Sequence, residues 1–86
     1  MATYQVTFAR SARKEFDRLD EPIASRILVR IKKLAGTSRP KGCRKLKGAD
    51  NLWRIRVGEY RVIYSVNDRE LLVDIVAVRH RAEAYR

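Results

Sequence analysis

Three arginines stand close together in the middle of the chain, at spacings that favour one face of a β-hairpin. Arg54 and Arg56 belong to a run of alternating apolar and basic residues, and Arg61 follows shortly after the pair Gly58-Glu59. If that pair forms a two-residue turn, Arg56 lies directly opposite Arg61 and both side chains point to the same side. Guanidinium groups bind phosphate oxygens through two parallel hydrogen bonds, so this spacing predicts a site for a phosphate-rich ligand.

The predicted pairing of two arginines is unfavourable for the hairpin itself. Like charges that face each other across two strands are destabilising, and such conflicts with local stability are expected at functional sites. The structural alternative is an ion pair with Asp74, which we expect the last strand to place on the same face. We favour the functional interpretation, in which the arginines bind a polyanion.

The C-terminal segment adds groups that can transfer protons. His80 lies between Arg79 and Arg81, and Tyr85 follows five residues after the histidine. The unperturbed pKa of histidine, about 6.5, suits acid–base chemistry, and a tyrosine can stack on a base or share a proton. An arginine, with a pKa of about 12.5 or more, is a poor proton acceptor. His80 and Tyr85 are therefore both candidates for the acid and the base, with Glu83 a weaker one.

Other kinds of site have little support in the sequence. Cys43 is the only cysteine, so an internal disulfide is impossible and a reducing cytoplasm is the expected location. No metal-ligand spacing surrounds Cys43 or His80, and there is no glycine-rich phosphate loop, so we expect neither a metal nor another cofactor. No run of 18 apolar residues is present, which excludes a membrane-spanning helix.

Length and charge define one small, basic domain over residues 1–86. The formal net charge is +10, and residues 39–61, with eight basic and two acidic side chains, contribute +6 of it. A clustered positive field attracts nucleic acid or an acidic protein. Besides the central arginines, we predict that four basic residues contact an RNA backbone: Arg44, Lys45, Lys47 and Arg81.

The elements that must position these residues begin with a strand and two helices. Alternating apolar residues predict a strand over residues 4–8, and Ser11 is a candidate N-cap for a first helix. Pro22 suits the first turn of a second helix, whose apolar stripe runs to residue 34, and Gly36 suits its C-terminal cap.

The rest of the chain predicts an antiparallel meander. We expect strands at residues 52–57, 60–66 and 71–78, with a short extended segment at 43–47. The fold class is α+β, a β-α-α unit followed by three or four antiparallel strands, with both helices on one sheet face. Alternation assigns one set of hairpin residues to the helix side: Trp53, Ile55, Val57, Tyr60, Val62 and Tyr64. It assigns another set to the opposite face: Arg54, Arg56, Arg61, Ile63 and Ser65.

Four segments together resemble the RelE toxins of the RelE/ParE superfamily. They are Leu46-Lys47-Gly48, residues 52–64, Val78-Arg79-His80-Arg81 and Tyr85. The resemblance implies a ribosome-dependent mRNA endoribonuclease, which cuts mRNA in the ribosomal A site by attack of the RNA's own 2′-hydroxyl on the adjacent phosphate. It matches five residues to the family's site, and with the histidine the predicted catalytic set is Arg54, Arg56, Arg61, Arg79, His80 and Tyr85. Some members carry lysines where Arg54 and Arg56 stand.

The resemblance also implies partners. They are the ribosome with its mRNA and an acidic RelB-like antitoxin, and operator DNA is contacted only through the antitoxin complex. Apolar residues on the arginine face, Ile63, Leu72 and Val76, are candidates for coverage by that antitoxin. Two alternatives remain open: a ParE-like toxin that binds DNA gyrase, and a basic nucleic-acid-binding module without catalysis.

Overall fold

The computed structural model describes residues 3–84 of the chain. Eight elements follow one another along these residues. They are β1 (Gln5–Phe8), α1 (Arg10–Asp17), α2 (Glu21–Lys33), β2 (Arg44–Lys45), β3 (Leu52–Val57), β4 (Tyr60–Asn67), β5 (Leu72–His80) and α3 (Arg81–Ala84). The predicted β-α-α unit followed by a strand meander is confirmed.

The five strands form one mixed sheet in the order β1-β5-β4-β3-β2. Strands β2 to β5 are antiparallel neighbours, as the meander predicted, whereas β1 pairs in parallel with β5. The sheet therefore has one strand more than the meander, namely β1. The two helices carry the chain from β1 at one edge of the sheet to β2 at the other. This arrangement places β4 in the centre, with two strands on each side.

The β3–β4 hairpin has the predicted register, with Arg56 opposite Arg61 and Ile55 opposite Val62. Gly58 has a φ of 59°, whereas Leu71 is the one non-glycine residue of the described chain with a positive φ. A positive φ at the first loop position alone is the signature of a type II′ turn, which glycine adopts without steric cost. Local turn chemistry thus fixes which side chains share a face.

The core lies between this sheet and the helices α1 and α2. Helix α1 packs along β5 and α2 lies against β3. The buried apolar side chains form one cluster: Ala12, Ile27, Ile31, Leu34, Ile55, Val57, Val62, Tyr64, Val66, Val73, Ile75 and Val78. Trp53 and Tyr60 pack partly buried against this cluster, which confirms their assignment to the helix side.

The helix ends differ from the expected caps. Helix α1 begins at Arg10 with Ala9 as N-cap, because the amide of Ala9 still pairs with the carbonyl of Ile75 and the strand turns directly into the helix. The expected cap Ser11 therefore lies inside the helix. Gly36 does not adopt a positive φ, since α2 ends through short turns to the carbonyls of residues 31–33. None of the helices within residues 3–84 has the length and apolarity to cross a membrane.

Strand β5 is longer than expected and contains an irregularity. It runs to His80 rather than residue 78. Its pairing with β4 shifts between Ile63 and Tyr64, which face Ala77 and Ile75 and leave Val76 between them. Such a bulge shifts the alternation along one strand. Even-numbered positions before it and odd-numbered positions after it therefore project to the same face of the sheet.

Candidate functional site

Arginines from three adjacent strands form a row across one face of the sheet. Arg61 on β4 pairs with Arg56 on β3 and with Arg79 on β5. Directly opposite residues in antiparallel strands project to the same side, and neighbouring strands lie about 4.8 Å apart. We name these three residues the arginine row. The turn predicted the pair Arg56–Arg61 and the family resemblance named Arg79 as a further site residue; the structure places Arg79 next to Arg61.

Arg61 lies at the centre of the row and is only 4% exposed. Arg56 and Arg79 on either side are exposed, and α3 contacts the two strands β4 and β5. The register confirms that Arg61 lies on the face away from α1 and α2, and its side chain is buried there. Arg61 lies on the central strand of the sheet, where α3 contacts β4 and β5.

A second pair of arginines lies beside the row. Arg44 on β2 is the Cα partner of Arg54 on β3, and both line a polar cleft of about 480 Å³ with Arg56 and Gly42. Among the side chains described over residues 3–82, no carboxylate forms an ion pair with Arg44, Arg54 or Arg56. Like charges are thus concentrated without compensation, which favours an anionic ligand in the cleft.

Arg79 is the member of the row that carries an acidic partner. Its Nε donates to Glu15 Oε2 at 3.1 Å, and the amide of Val78 donates to Glu15 Oε1 at 3.0 Å. Glu15 belongs to α1, so a helix residue binds both the edge of β5 and the arginine beside it. Nothing in the local sequence points to this contact, because its partners lie 63 and 64 positions apart along the chain.

His80 does not lie with the arginine row. It is the Cα partner of Tyr60, so alternation turns its ring to the helix side of the sheet. The two rings meet edge to face with centroids 5.3 Å apart, and His80 Nδ1 accepts a hydrogen bond of 3.3 Å from the amide of Ala82. Its surroundings form a polar pocket of about 270 Å³ that also includes Glu15 and Arg18.

The remaining predicted site residues occupy separate places. Lys45 pairs with Trp53 and therefore faces the helix side, whereas its neighbour Arg44 faces the arginine row. Lys47 lies in the turn after β2, exposed at the surface. Arg81 begins α3, where its amide donates to the carbonyl of Glu59 at 2.7 Å and its side chain lies 3.8 Å from the Glu59 carboxylate. Tyr85 lies outside the described residues.

Asp74 lies on the face of the arginine row but pairs with none of its members. It is opposite Ser65 and Thr7, and Thr7 Oγ1 donates to its Oδ1 at 2.8 Å. The structural alternative for the arginines, an ion pair with Asp74, is therefore not observed. Among the side chains that the structure describes, no group of three histidine, cysteine or acidic residues is assembled that could hold a metal ion.

At the other end of the sheet an arginine is fully compensated. Arg39 donates two hydrogen bonds to Asp68, at 3.2 and 2.9 Å, and its guanidinium lies 5.0 Å from the centre of the Trp53 ring. Tyr4 also donates to Asp68. The hydrogen bonds from Arg39 and Tyr4 hold the pKa of Asp68 below its usual value, and the hydrogen bond to Asp68 raises the pKa of Arg39.

A buried tyrosine closes the core next to this ion pair. The Tyr64 hydroxyl donates to the carbonyl of Ser38 at 2.8 Å, which ties the loop after α2 to the centre of β4. Burial, followed by the neighbouring Cys43, raises the pKa of Tyr64 well above its ordinary value. Tyr64 is therefore a neutral hydrogen-bond donor with a structural role rather than an acid or base.

The fold and the basic face agree with a family match over nearly the whole chain. A family model described as "ParE toxin of type II toxin-antitoxin system, parDE" matches residues 6–85. The chain belongs to the RelE/ParE superfamily of type II toxin–antitoxin toxins, as the sequence motifs indicated.

Individual relatives fall on the RelE side of this superfamily. An Escherichia coli protein described as RelE-like toxin is 33% identical over 86 residues, covering 95% of this chain and 90% of the relative. The toxin in the RelE–RelB complex of Pyrococcus horikoshii OT3 superposes with a TM-score of 0.81 at 31% identity, covering 92% of this chain and 96% of that one.

Structures of more distant relatives share the fold. The RelBE2 complex of Mycobacterium tuberculosis matches with a TM-score of 0.78 at 26% identity, covering 92% of this chain and 99% of that one. A YoeB/ParE toxin from Agrobacterium tumefaciens matches with a TM-score of 0.77 at 20% identity, covering 88% and 96%. At that identity the likeness concerns the fold alone.

Proposed function

We propose that this toxin is a ribosome-dependent mRNA endoribonuclease. The observation that carries the proposal is the arginine row, in which Arg61 lies between Arg56 and Arg79 on one face of the sheet. A row of guanidinium groups without a local acid opposite Arg56 matches the charge of an RNA backbone better than that of a neutral ligand. The 33% identical RelE-like relative supports the same reading.

The reaction needs a base for the 2′-hydroxyl, charge stabilisation at phosphorus and an acid for the leaving 5′-oxygen. The arginine row supplies the second through fixed donors, since such preorganised groups stabilise charge that develops in the transition state. Arg54, with Arg44 beside it, extends the positive surface towards neighbouring phosphates. Lys45, Lys47 and Arg81 are proposed as outer contacts to the RNA backbone.

Proton transfer is assigned to residues at the C-terminal end. We keep His80 and Tyr85 as the candidates for acid and base. Since the ring of His80 faces the helix side of β5, its participation requires the RNA to pass around the end of that strand. This separation makes Tyr85 the stronger candidate, with His80 second.

Dependence on the ribosome follows from the composition of the described site. The arginine row binds phosphate but contains no side chain that accepts a proton at neutral pH. Holding the RNA in a reactive geometry is then the main contribution still required, and the ribosome can supply it. We expect cleavage of mRNA on programmed ribosomes and little cleavage of free RNA.

The experiment compares three substrates at equal RNA concentration: free mRNA, mRNA on programmed ribosomes with an empty A site, and mRNA on ribosomes with an occupied A site. Products should carry a cyclic phosphate and a free 5′-hydroxyl, and should appear with the empty A site alone. Equal cutting of free RNA contradicts ribosome dependence. No cutting in any of the three rejects the nuclease.

We further propose an acidic antitoxin as the protein partner, with operator DNA contacted through the complex. Similar toxins were crystallised as RelE–RelB or RelBE complexes, and this chain carries a net charge of +10. Ile63, Leu72 and Val76 are half-buried and offer apolar surface. Ile63 lies opposite Arg54, whereas Leu72 lies at the Asn67 end of the sheet. Co-expression with the neighbouring gene should give a complex that does not cleave mRNA while it is intact. The complex should dissociate at high salt.

A second candidate is inhibition of DNA gyrase, which the family model's ParE description favours. A supercoiling assay with purified gyrase, run beside the ribosome assay, separates the two. Gyrase inhibition without RNA cleavage supports the ParE-like activity. Binding of RNA with neither activity identifies a non-catalytic basic module.

A further inference from the structure

We infer that Glu15 is a positioning residue, which holds Arg79 in the orientation needed to contact the reacting phosphate. The inference rests on the proposed nuclease function and names a helix residue that the motifs of the sequence do not include. Glu15 touches no substrate in this scheme. It acts through Arg79, and the argument depends on how its two carboxylate oxygens are used.

The two oxygens of Glu15 bind different groups. Oε1 accepts the hydrogen bond from the amide of Val78, and Oε2 accepts the one from Nε of Arg79. Strand β1 ends at Phe8, opposite Ile75, so the edge of β5 beyond that point lacks a strand partner. The carboxylate thus satisfies an edge amide and anchors the following side chain with the same group.

The geometry of the Arg79 contact leaves the outer part of its guanidinium available. The bond uses Nε, whereas phosphate recognition uses the two terminal nitrogens as a fork. The Arg79 side chain is 46% exposed and that of Glu15 is 26% exposed, so the arginine reaches solvent while its base is held. An arginine fixed at Nε loses less rotational freedom when it binds phosphate.

A positioning role for Glu15 and a purely electrostatic role predict opposite effects when its charge is removed. A carboxylate close to the arginine row lowers the local positive potential and by itself weakens RNA binding. Removing its charge should therefore improve binding if Glu15 acts only through the overall field. A positioning role predicts the opposite for turnover, because a misplaced donor no longer matches the transition state.

The test uses Glu15→Gln, which separates the two bonds. Glutamine keeps an acceptor for the Val78 amide but offers a neutral amide towards Arg79. We expect kcat on programmed ribosomes to fall roughly tenfold to a hundredfold with KM unchanged or lower. Hydrogen exchange at the Val78 amide and the Tm should stay as in the wild type. Glu70→Gln, an exposed turn residue with the same charge change, is the matched control and should retain the wild-type kcat.

A double-mutant cycle with Arg79→Ala completes the test. In the Arg79→Ala background, Glu15→Gln should cause no further loss in slow, single-turnover cleavage, because its effect passes through that arginine. A wild-type kcat in Glu15→Gln, or an equal loss in both backgrounds, overturns the inference while the nuclease proposal stands. If the wild type does not cut, or Arg79→Ala cuts as fast as the wild type, the proposed site itself fails and the inference fails with it.

Discussion

Arginines lie near both ends of β4, but the residues that surround them differ in charge. At the Asn67 end, Arg39 forms two hydrogen bonds with Asp68 and stacks over an indole ring. At the Tyr60 end, Arg61 lies between Arg56 and Arg79, with arginines as its strand partners on both sides. One end has the pattern of a structural ion pair, and the other has the pattern of an anion site.

The contrast shows how charge compensation separates the two roles. Arg39 and Asp68 shift each other's pKa in the direction that stabilises both charges. In the row at the other end, Glu15 binds Arg79, but Arg56 forms no ion pair with the side chains described over residues 3–82. Like charges on adjacent strands there cost stability unless a ligand offsets them. Four measurements test this comparison, beginning with the largest expected effect.

Arg61→Ala should lose both activity and stability. Arg61 is a central donor of the row, and loss of one preorganised donor commonly costs about 10²–10³-fold in rate. Because the side chain is buried, its truncation should also lower the free energy of unfolding by about 1–3 kcal/mol. Cleavage rates on programmed ribosomes and urea denaturation measure the two effects. A folded variant with wild-type cleavage would remove Arg61 from the site.

Arg56→Ala and Arg39→Ala should give opposite outcomes. Arg56 is exposed and forms no ion pair with the side chains described up to residue 82, so its loss should reduce cleavage about 10²–10³-fold while the Tm is retained. Arg39→Ala removes the contact with Trp53 and should lower the Tm by about 2–8 °C with normal cleavage. If both variants lose the same property, the distinction between the two ends of β4 is wrong.

Val62→Ala measures the opposite face of the same hairpin. Val62 is fully buried beside Arg61 in sequence but on the helix side of the sheet. The cavity should cost about 1–3 kcal/mol of stability, and the folded fraction should cleave at the wild-type rate. Denaturation curves measure the loss of stability, and cleavage rates on programmed ribosomes, corrected for the folded fraction, measure the activity. A selective loss of rate would mean that the two faces of β4 are not independent.

The smallest expected effect is a pH dependence at the Asn67 end. The pKa of Asp68 is lowered in the folded state, so its contribution to stability is fully present above the unfolded pKa of about 3.9. That contribution decreases as the pH falls through the lower folded pKa. Melting curves between about pH 6 and pH 2 should show a steeper acid loss for the wild type than for Asp68→Asn. Asp50→Asn, at another exposed turn, is the control and should follow the wild type.

Much of the arginine face follows from local sequence. The loop Gly58-Glu59 sets the register of the hairpin, and strict alternation then assigns Arg56 and Arg61 to one side and Ile55 and Val62 to the other. These features need only neighbouring residues, because turn geometry and the two-residue period of a strand are local properties. The helix signals were less reliable, since packing overrode Ser11 and Gly36 as end markers.

Other features depend on residues distant in sequence. Asp74 and Arg79 share the outer face only because a bulge between them shifts the alternation, and packing of β5 against β4 and β1 selects that bulge. The position of His80 on the helix side depends on β5 continuing two residues beyond its predicted end.

The sequence by itself determined the class of fold, the Arg56–Arg61 pair and the basic character of their surface. The tertiary structure alone decided that Arg61 is buried, that Arg79 joins the row and that Glu15 holds it. The reason is physical: turn geometry and strand alternation act between near neighbours in the chain. Burial and ion pairing between a helix and a strand 64 positions away arise only when the sheet and helices pack together.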